Sequence, residues 1–315
     1  MNFYLFKRIR SQDSLISLIL FLLLVSCSGD EGPEMNNSNQ IPNTPQQQEE
    51  TVIEEEVFTV EIDESDLSIL PKDTGGSLIA FDDENSNVPY NYYVYKPGGY
   101  SDDGPEYPLL VFLHGWNPNL GNEPLENVLG QGPPSLIKTN RWHPKFPFVV
   151  VAPQTTTSDW RPYKIHALIE HLMETYQVNK ERIYLTGLSL GGGGCWFYAG
   201  EFENNYLAAM VPISASGAPH LVENLAKIPL WAFHGGQDQT VKAYENYGSV
   251  PLVEAINQKN PKVRARLTVY SNVGHNAWFM TYDGTGHNYS SQTYDTFDMD
   301  IYEWMLAYKK SDQKP

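Results

Sequence analysis

Past residue 57 the chain alternates between short apolar runs closed by turn residues and longer stretches with helical spacing. Tyr90–Pro97 (YNYYVYKP) alternates like a half-buried strand, while Tyr107–Gly115 (YPLLVFLHG) and Phe146–Pro153 (FPFVVVAP) are continuously apolar. Arg182–Gly187, Leu207–Ser214, Ile228–Gly235 and Arg264–Ser271 repeat the continuous pattern. Between these runs, Pro162–Tyr176, Gly191–Glu203 and Val241–Asn257 have helix length, and Thr296–Lys309 places apolar residues about 3.6 positions apart. Continuously apolar strands alternating with helices predict an α/β fold with a mostly parallel central sheet and helices on both faces. Sites in such sheets form beyond the carboxyl ends of the strands. The polar residues that fall there are His114-Gly115-Trp116, Ser189, Asp238 and His275.

The chain before residue 57 has a different character. Lys7, Arg8 and Arg10 precede an apolar stretch, Leu15–Val25, which is short for a membrane span and reads as an export signal over residues 1–26. It ends in Leu24-Val25-Ser26-Cys27, which resembles the bacterial lipoprotein box. That resemblance implies cleavage before Cys27 and lipid on its thiol; an uncleaved anchor and an ordinary signal peptide are the other readings. Residues 27–56 are rich in Asn, Pro, Gln and Glu and read as an acidic tether without a core. Ser28-Gly29-Asp30-Glu31 is similar to the surface-export signals of Bacteroidetes lipoproteins. The expected location is the bacterial cell envelope, at the outer membrane and exposed on the cell surface. The membrane is then met through the lipid anchor alone.

The formal net charge is -17, and twelve Asp and Glu with no Lys or Arg lie between Asp30 and Asp66, so a nucleic-acid partner is not expected. With Cys27 lipidated, Cys195 is the one cysteine left and no internal disulfide can form. Neither cofactor nor metal is expected, and the chain reads as a monomer.

The chemistry centres on Gly187-Leu188-Ser189-Leu190-Gly191, a G-x-S-x-G pattern between an expected strand and an expected helix. A sharp strand-to-helix turn exposes such a serine, and glycines two residues to either side avoid collision. The run Gly191–Gly194 lacks the following Lys of a phosphate-binding loop. A nucleophilic serine needs a base, and the base an orienting acid. Asp238 and His275 each follow a strand, in the order serine, acid, histidine. Asp238 reads alternatively as a helix N-cap, and His287 is the nearest rival base. His114 and His234 read as structural, His166 and His171 fall on a helix, and Asp159 precedes the serine. Backbone N–H groups of Leu190 and Trp116 are the candidate oxyanion donors. Trp160, Trp278 and Tyr282 are candidate substrate-binding aromatics, with Trp116 and Trp142 also placed in loops.

On the segments PLLVFLHG, RIYLTGLSLGGGGCW, PLWAFHGGQDQTV and GHNAW, the stretch from about Tyr90 to Tyr308 resembles the esterase branch of the α/β-hydrolases. That branch includes feruloyl and acetyl-xylan esterases, polyhydroxybutyrate depolymerases and predicted peptidases. The resemblance implies an α/β-hydrolase catalytic domain over residues 57–315 and a metal-free Ser189-Asp238-His275 serine hydrolase. It also implies a carboxylic ester substrate, an acyl, feruloyl or acetyl ester on plant polysaccharide or a related small ester. An acyltransferase or a peptidase would use the same three residues. A glycan-binding surface lipoprotein without catalysis is the reading from another class.

Overall fold

A computed structural model describes residues 60–82, 87–116 and 124–313, all within the compact unit Val57–Pro315. The expected signal segment, Cys27 and the tether to residue 56 lie outside the described residues. Among the described residues no helix is long and apolar enough to cross a membrane.

In chain order the elements are β1 (Ser77–Phe81), β2 (Tyr92–Lys96), β3 (Tyr107–Leu113), α1 (Gly132–Lys138), β4 (Val149–Pro153), α2 (Pro162–Thr175), β5 (Val178–Leu188) and α3 (Leu190–Glu201). Then follow β6 (Ala209–Ile213), α4 (Val222–Leu225), β7 (Trp231–Gly235), α5 (Ser249–Asn257), β8 (Arg266–Tyr270), α6 (Trp278–Tyr282), β9 (Gln292–Tyr294) and α7 (Ile301–Leu306). The strands form one sheet in the order β1-β2-β4-β3-β5-β6-β7-β8-β9. From β4 to β8 every pairing is parallel, and the edges β1, β2 and β9 pair antiparallel. Every residue of β3, β4, β6, β7 and β8 is buried, as expected of parallel strands covered on both faces. This is the α/β-hydrolase architecture, a mostly parallel sheet with helices around it.

Two helices are shorter than expected. In place of Val241–Asn257, α5 begins only at Ser249. Pro251 is the reason: it fits the first turn of a helix and would break the interior of a longer one. In place of Thr296–Lys309, α7 begins at Ile301, because the Asp300 side chain accepts hydrogen bonds from the N–H groups of Tyr302 and Glu303 and caps it there. The preceding residues serve the sheet edge instead: Asp295 and Leu267 pair through their backbones, and Arg266 donates to the Thr296 carbonyl. The unexpected strands β1 and β9 are edge strands with largely exposed residues, so they lack the apolar signature of the central ones.

Candidate active site

The nucleophile elbow is a backbone event. Ser189 sits between the end of β5 and the start of α3 at φ 51°, ψ -116°, which a residue with a side chain adopts only under strain. Its N–H donates to the Ile213 carbonyl at the end of β6 (2.9 Å), which fixes the turn. A Cβ on Gly191 would lie 1.9 Å from the Leu113 carbonyl oxygen, so only glycine allows β3, the turn and α3 to approach this closely. The strained geometry turns the Ser189 hydroxyl away from the sheet and into a cavity.

A second close approach brings acid and base together. A Cβ on Gly235 would lie 1.9 Å from the Gly274 carbonyl oxygen, so the loops after β7 and β8 touch only because residue 235 is glycine. Gln237 N–H donates to the Val273 carbonyl across the same contact (2.9 Å). As a result His275 Nδ1 lies 2.7 Å from Asp238 Oδ2, and His275 Nε2 lies 2.9 Å from Ser189 Oγ. The carboxylate accepts from Nδ1–H, which leaves Nε2 free to accept from the serine hydroxyl. The three candidates separated by sequence therefore form one line of hydrogen bonds.

The alternative reading of Asp238 as a cap also holds in part. Its Oδ1 accepts from Thr240 N–H (2.8 Å) and Val241 N–H (2.9 Å), capping a loop turn ahead of α5. The other oxygen, Oδ2, carries the histidines. Burial opposes ionisation of this carboxyl, but hydrogen bonds from His234, His275, Val241 and Thr240 outweigh it and hold its pKa at about 2.

His234, expected to be structural, also touches the acid. It is fully buried, with Nδ1 2.7 Å from Ser249 Oγ and Nε2 2.8 Å from the Val241 carbonyl and 3.2 Å from Asp238 Oδ2. Both neighbours of Nε2 are acceptors, so Nε2 carries hydrogen. One carboxylate oxygen thus faces two imidazoles. The spacing His234 to Asp238 within HGGQD was the available signal, since a loop this short folds the acid back over the strand end.

Ser189 opens into a cavity of about 570 Å³ lined by Trp116, Trp160, Leu190, Gly193, Phe197 and Val241, with Asp159, Arg161 and Glu201 supplying charge. Asp159 and Arg161 form an ion pair. Trp116 is 62% exposed, and Gly115 before it lies against Leu188 and Ser189, which brings the β3 loop beside the nucleophile. Trp160 is tied down by its indole N–H donating to the His114 carbonyl (3.1 Å).

The remaining aromatic candidates are not in this cavity. Tyr282, expected at the substrate, is core: its hydroxyl pairs with Thr186 Oγ1 (2.9 Å) and its ring meets Phe112 edge-on. The cause is helical phase, because α6 turns Trp278, Thr281 and Tyr282 inward and leaves Phe279 outside. Trp278 is buried with its ring 5.1 Å from that of His275, so it supports the base instead of lining the cavity. Trp142 packs on Tyr302 and Phe148.

The other histidines weighed from the sequence sit among structural neighbours. Burial lowers the pKa of His114, whose Nε2 accepts from Thr155 N–H. His166 and His171 bond to Tyr198 and Tyr92. His287 stands edge-on to Phe297 with its Nε2 buried and unbonded. Cys195 is buried on α3, and burial raises its pKa well above the usual thiol value, so it offers no thiolate. Among the described residues no cluster of three or more His, Cys, Asp or Glu is placed to hold a metal.

The dienelactone hydrolase family model matches residues 150–307, just over half of the chain, a span that includes Ser189, Asp238 and His275. The chain belongs to the dienelactone hydrolase family. No curated protein matches it. Among solved structures, a thermostable esterase is 25% identical with a TM-score of 0.55; the alignment covers 75% of this chain and 63% of that one. This chain therefore spans less than two thirds of that esterase. FphF, a fluorophosphonate-binding serine hydrolase of Staphylococcus aureus, is 14% identical with a TM-score of 0.54, covering 74% of this chain and 99% of that one. The feruloyl esterase module from Clostridium thermocellum complexed with sinapinate, a mutant form, is 15% identical with a TM-score of 0.50, covering 77% and 91%. The last two share the fold. Membership of the dienelactone hydrolase family supports a carboxylic ester hydrolase.

Proposed function

We propose that the protein hydrolyses carboxylic esters through a Ser189-His275-Asp238 triad and an acyl-enzyme. The observation that carries this reading is the unbroken line from Asp238 through His275 to Ser189, ending on a strained serine that faces a cavity. Ser189 Oγ attacks the ester carbonyl as its proton passes to His275 Nε2. Asp238 stays ionised and holds the Nδ1–H, so the imidazolium forms beside a fixed negative charge. The oxyanion is received by the backbone N–H groups of Leu190, in the first turn of α3 where no helical acceptor exists, and of Trp116. The imidazolium then protonates the leaving alcohol. Water repeats the sequence against the acyl-enzyme, with His275 as base, and restores the serine.

The apolar, aromatic wall of the cavity suits acetyl or feruloyl groups, such as those esterified to plant polysaccharide. The feruloyl esterase module among the structural neighbours is in line with that choice. The same reading places the enzyme on the bacterial cell envelope as a monomer, lipidated at Cys27 and extended on its acidic tether. A panel of p-nitrophenyl acyl esters, methyl ferulate and acetylated xylan tests the proposal. Hydrolysis of at least one ester, lost in His275→Ala, is the expected result. An inert panel, or activity unchanged in His275→Ala, overturns it.

A further inference from the structure

The four-glycine run has packing reasons at three positions and none at the fourth. A Cβ on Gly191, Gly192 or Gly194 would come within 1.9 Å of the Leu113 carbonyl oxygen, 2.6 Å of Ala215 Cβ and 2.7 Å of Trp160 Cβ respectively. A Cβ on Gly193 would meet only the Ser216 carbonyl oxygen, at 3.7 Å, an ordinary contact. Gly193 also has no positive φ that would call for glycine. It lies within α3, where glycine is the poorest helix former after proline. Neither packing nor backbone conformation therefore explains it.

Its position does. From Gly191 to Gly200 every residue of α3 is buried except Gly193 and Phe197, which are partly exposed. With Leu190 and Glu201 they form one stripe at three- and four-residue spacing, and all four line the cavity that holds Ser189. The stripe, with Gly194 beside it, is the face the helix turns to the cavity, and glycine leaves a notch in it between Leu190 and Phe197, one helical turn from the nucleophile. Trp160 and Val241 also border the cavity, so the notch is a slot in a partly apolar cavity wall.

We propose that Gly193 is a specificity-determining residue: its missing side chain makes the space that admits a ring-bearing ester, on whichever side of the carbonyl the ring lies. A side chain here would fill the slot while leaving the hydroxyl of Ser189 and its partners in place. This inference rests on the ester-hydrolase reading above and adds what that reading leaves open, the size filter.

The test compares Gly193→Ala and Gly193→Leu with the parent chain on methyl acetate, methyl phenylacetate and phenyl acetate. Between them these put the ring on neither side, the acyl side and the alcohol side. The expected result is that Gly193→Leu loses at least about tenfold in kcat/KM on one ring-bearing ester and less than about threefold on methyl acetate. Gly193→Ala should show the same preference weakly, and its melting temperature should rise, because alanine is the better helix former. Should the leucine variant fail to fold, the alanine variant carries the comparison, and a selective loss of about twofold or more decides it. Equal losses on all three esters, or none, overturn the inference and leave the ester-hydrolase reading standing. A parent chain inactive on all three and unreactive with a fluorophosphonate overturns both.

Discussion

The two ends of strand β5 hold their polar residues in opposite ways. In its first half, Arg182 is fully buried and closely paired: Nε and Nη2 grip both oxygens of Asp66 (2.7 and 2.8 Å), and the guanidinium also donates to the carbonyls of Asp63 and Leu306. Just past its end, Ser189 is strained, partly exposed and bonded through its hydroxyl to one histidine. The first arrangement ties a loop and the end of α7 to the sheet and leaves nothing free to react. The second leaves a hydroxyl that can change partners during a reaction. Relaxed and saturated bonding marks a structural polar residue, and strain beside a cavity marks a reactive one.

The largest expected effect breaks the reactive end. Ser189→Ala should lower kcat by about 10⁴-fold or more on any ester the parent chain hydrolyses, with the fold intact. Ser189→Gly should be equally inactive yet more stable by about 1 kcal/mol in denaturant unfolding, because glycine relieves the positive φ. Next, Arg182→Met should break the other end. Removing one partner from a buried pair leaves the other charge uncompensated, and a loss of about 3 kcal/mol of stability is expected, near the low end because Asp66 keeps some exposure. The activity of the molecules that remain folded should be unchanged, as measured by titrating active sites before assay.

Asp238 connects the two kinds of behaviour, being buried like Arg182 and reactive by position. Its pKa of about 2 lies below the ordinary 3.8, so ionisation favours the folded state. That contribution, about 2 kcal/mol, is complete above the unfolded value and is lost as the pH falls through about 2. Unfolding free energy should therefore decline between about pH 4 and pH 2, and Asp238→Asn should flatten that decline. The smallest effect is expected at His234. Replacing it with Phe keeps the bulk but removes the hydrogen bond to Asp238, and should lower kcat/KM on the order of tenfold, about 1.4 kcal/mol. Rescue by Gln, which can still donate, separates this positioning role from simple packing.

The fold and the three residues that the structure joins by hydrogen bonds, Asp238, His275 and Ser189, were legible from strand ends and motif order. Continuous apolar runs as short as Tyr107–Gly115, closed by turn residues, suit buried strands better than helices, and a serine flanked by glycines at a strand end has one common geometric cause. What the sequence hid depends on helical phase and long-range contact. Nothing in the composition of WFMTY tells that Tyr282 turns into the core while Phe279 turns out; that is set by what α6 packs against. The HGGQD spacing brings His234 near Asp238, but that their side chains meet is set by how the turn between them folds. The length that suggested a helix from Val241 was overruled by Pro251, a signal present in the sequence but outweighed.

The central claim is that Ser189 is the reacting atom's owner, and mass mapping after treatment with a fluorophosphonate tests it most directly. The account predicts one phosphonyl adduct on the peptide carrying Ser189, formed in step with the loss of esterase activity and absent in His275→Ala at matched times. An adduct on another residue, or full hydrolysis with Ser189 unmodified, would contradict it.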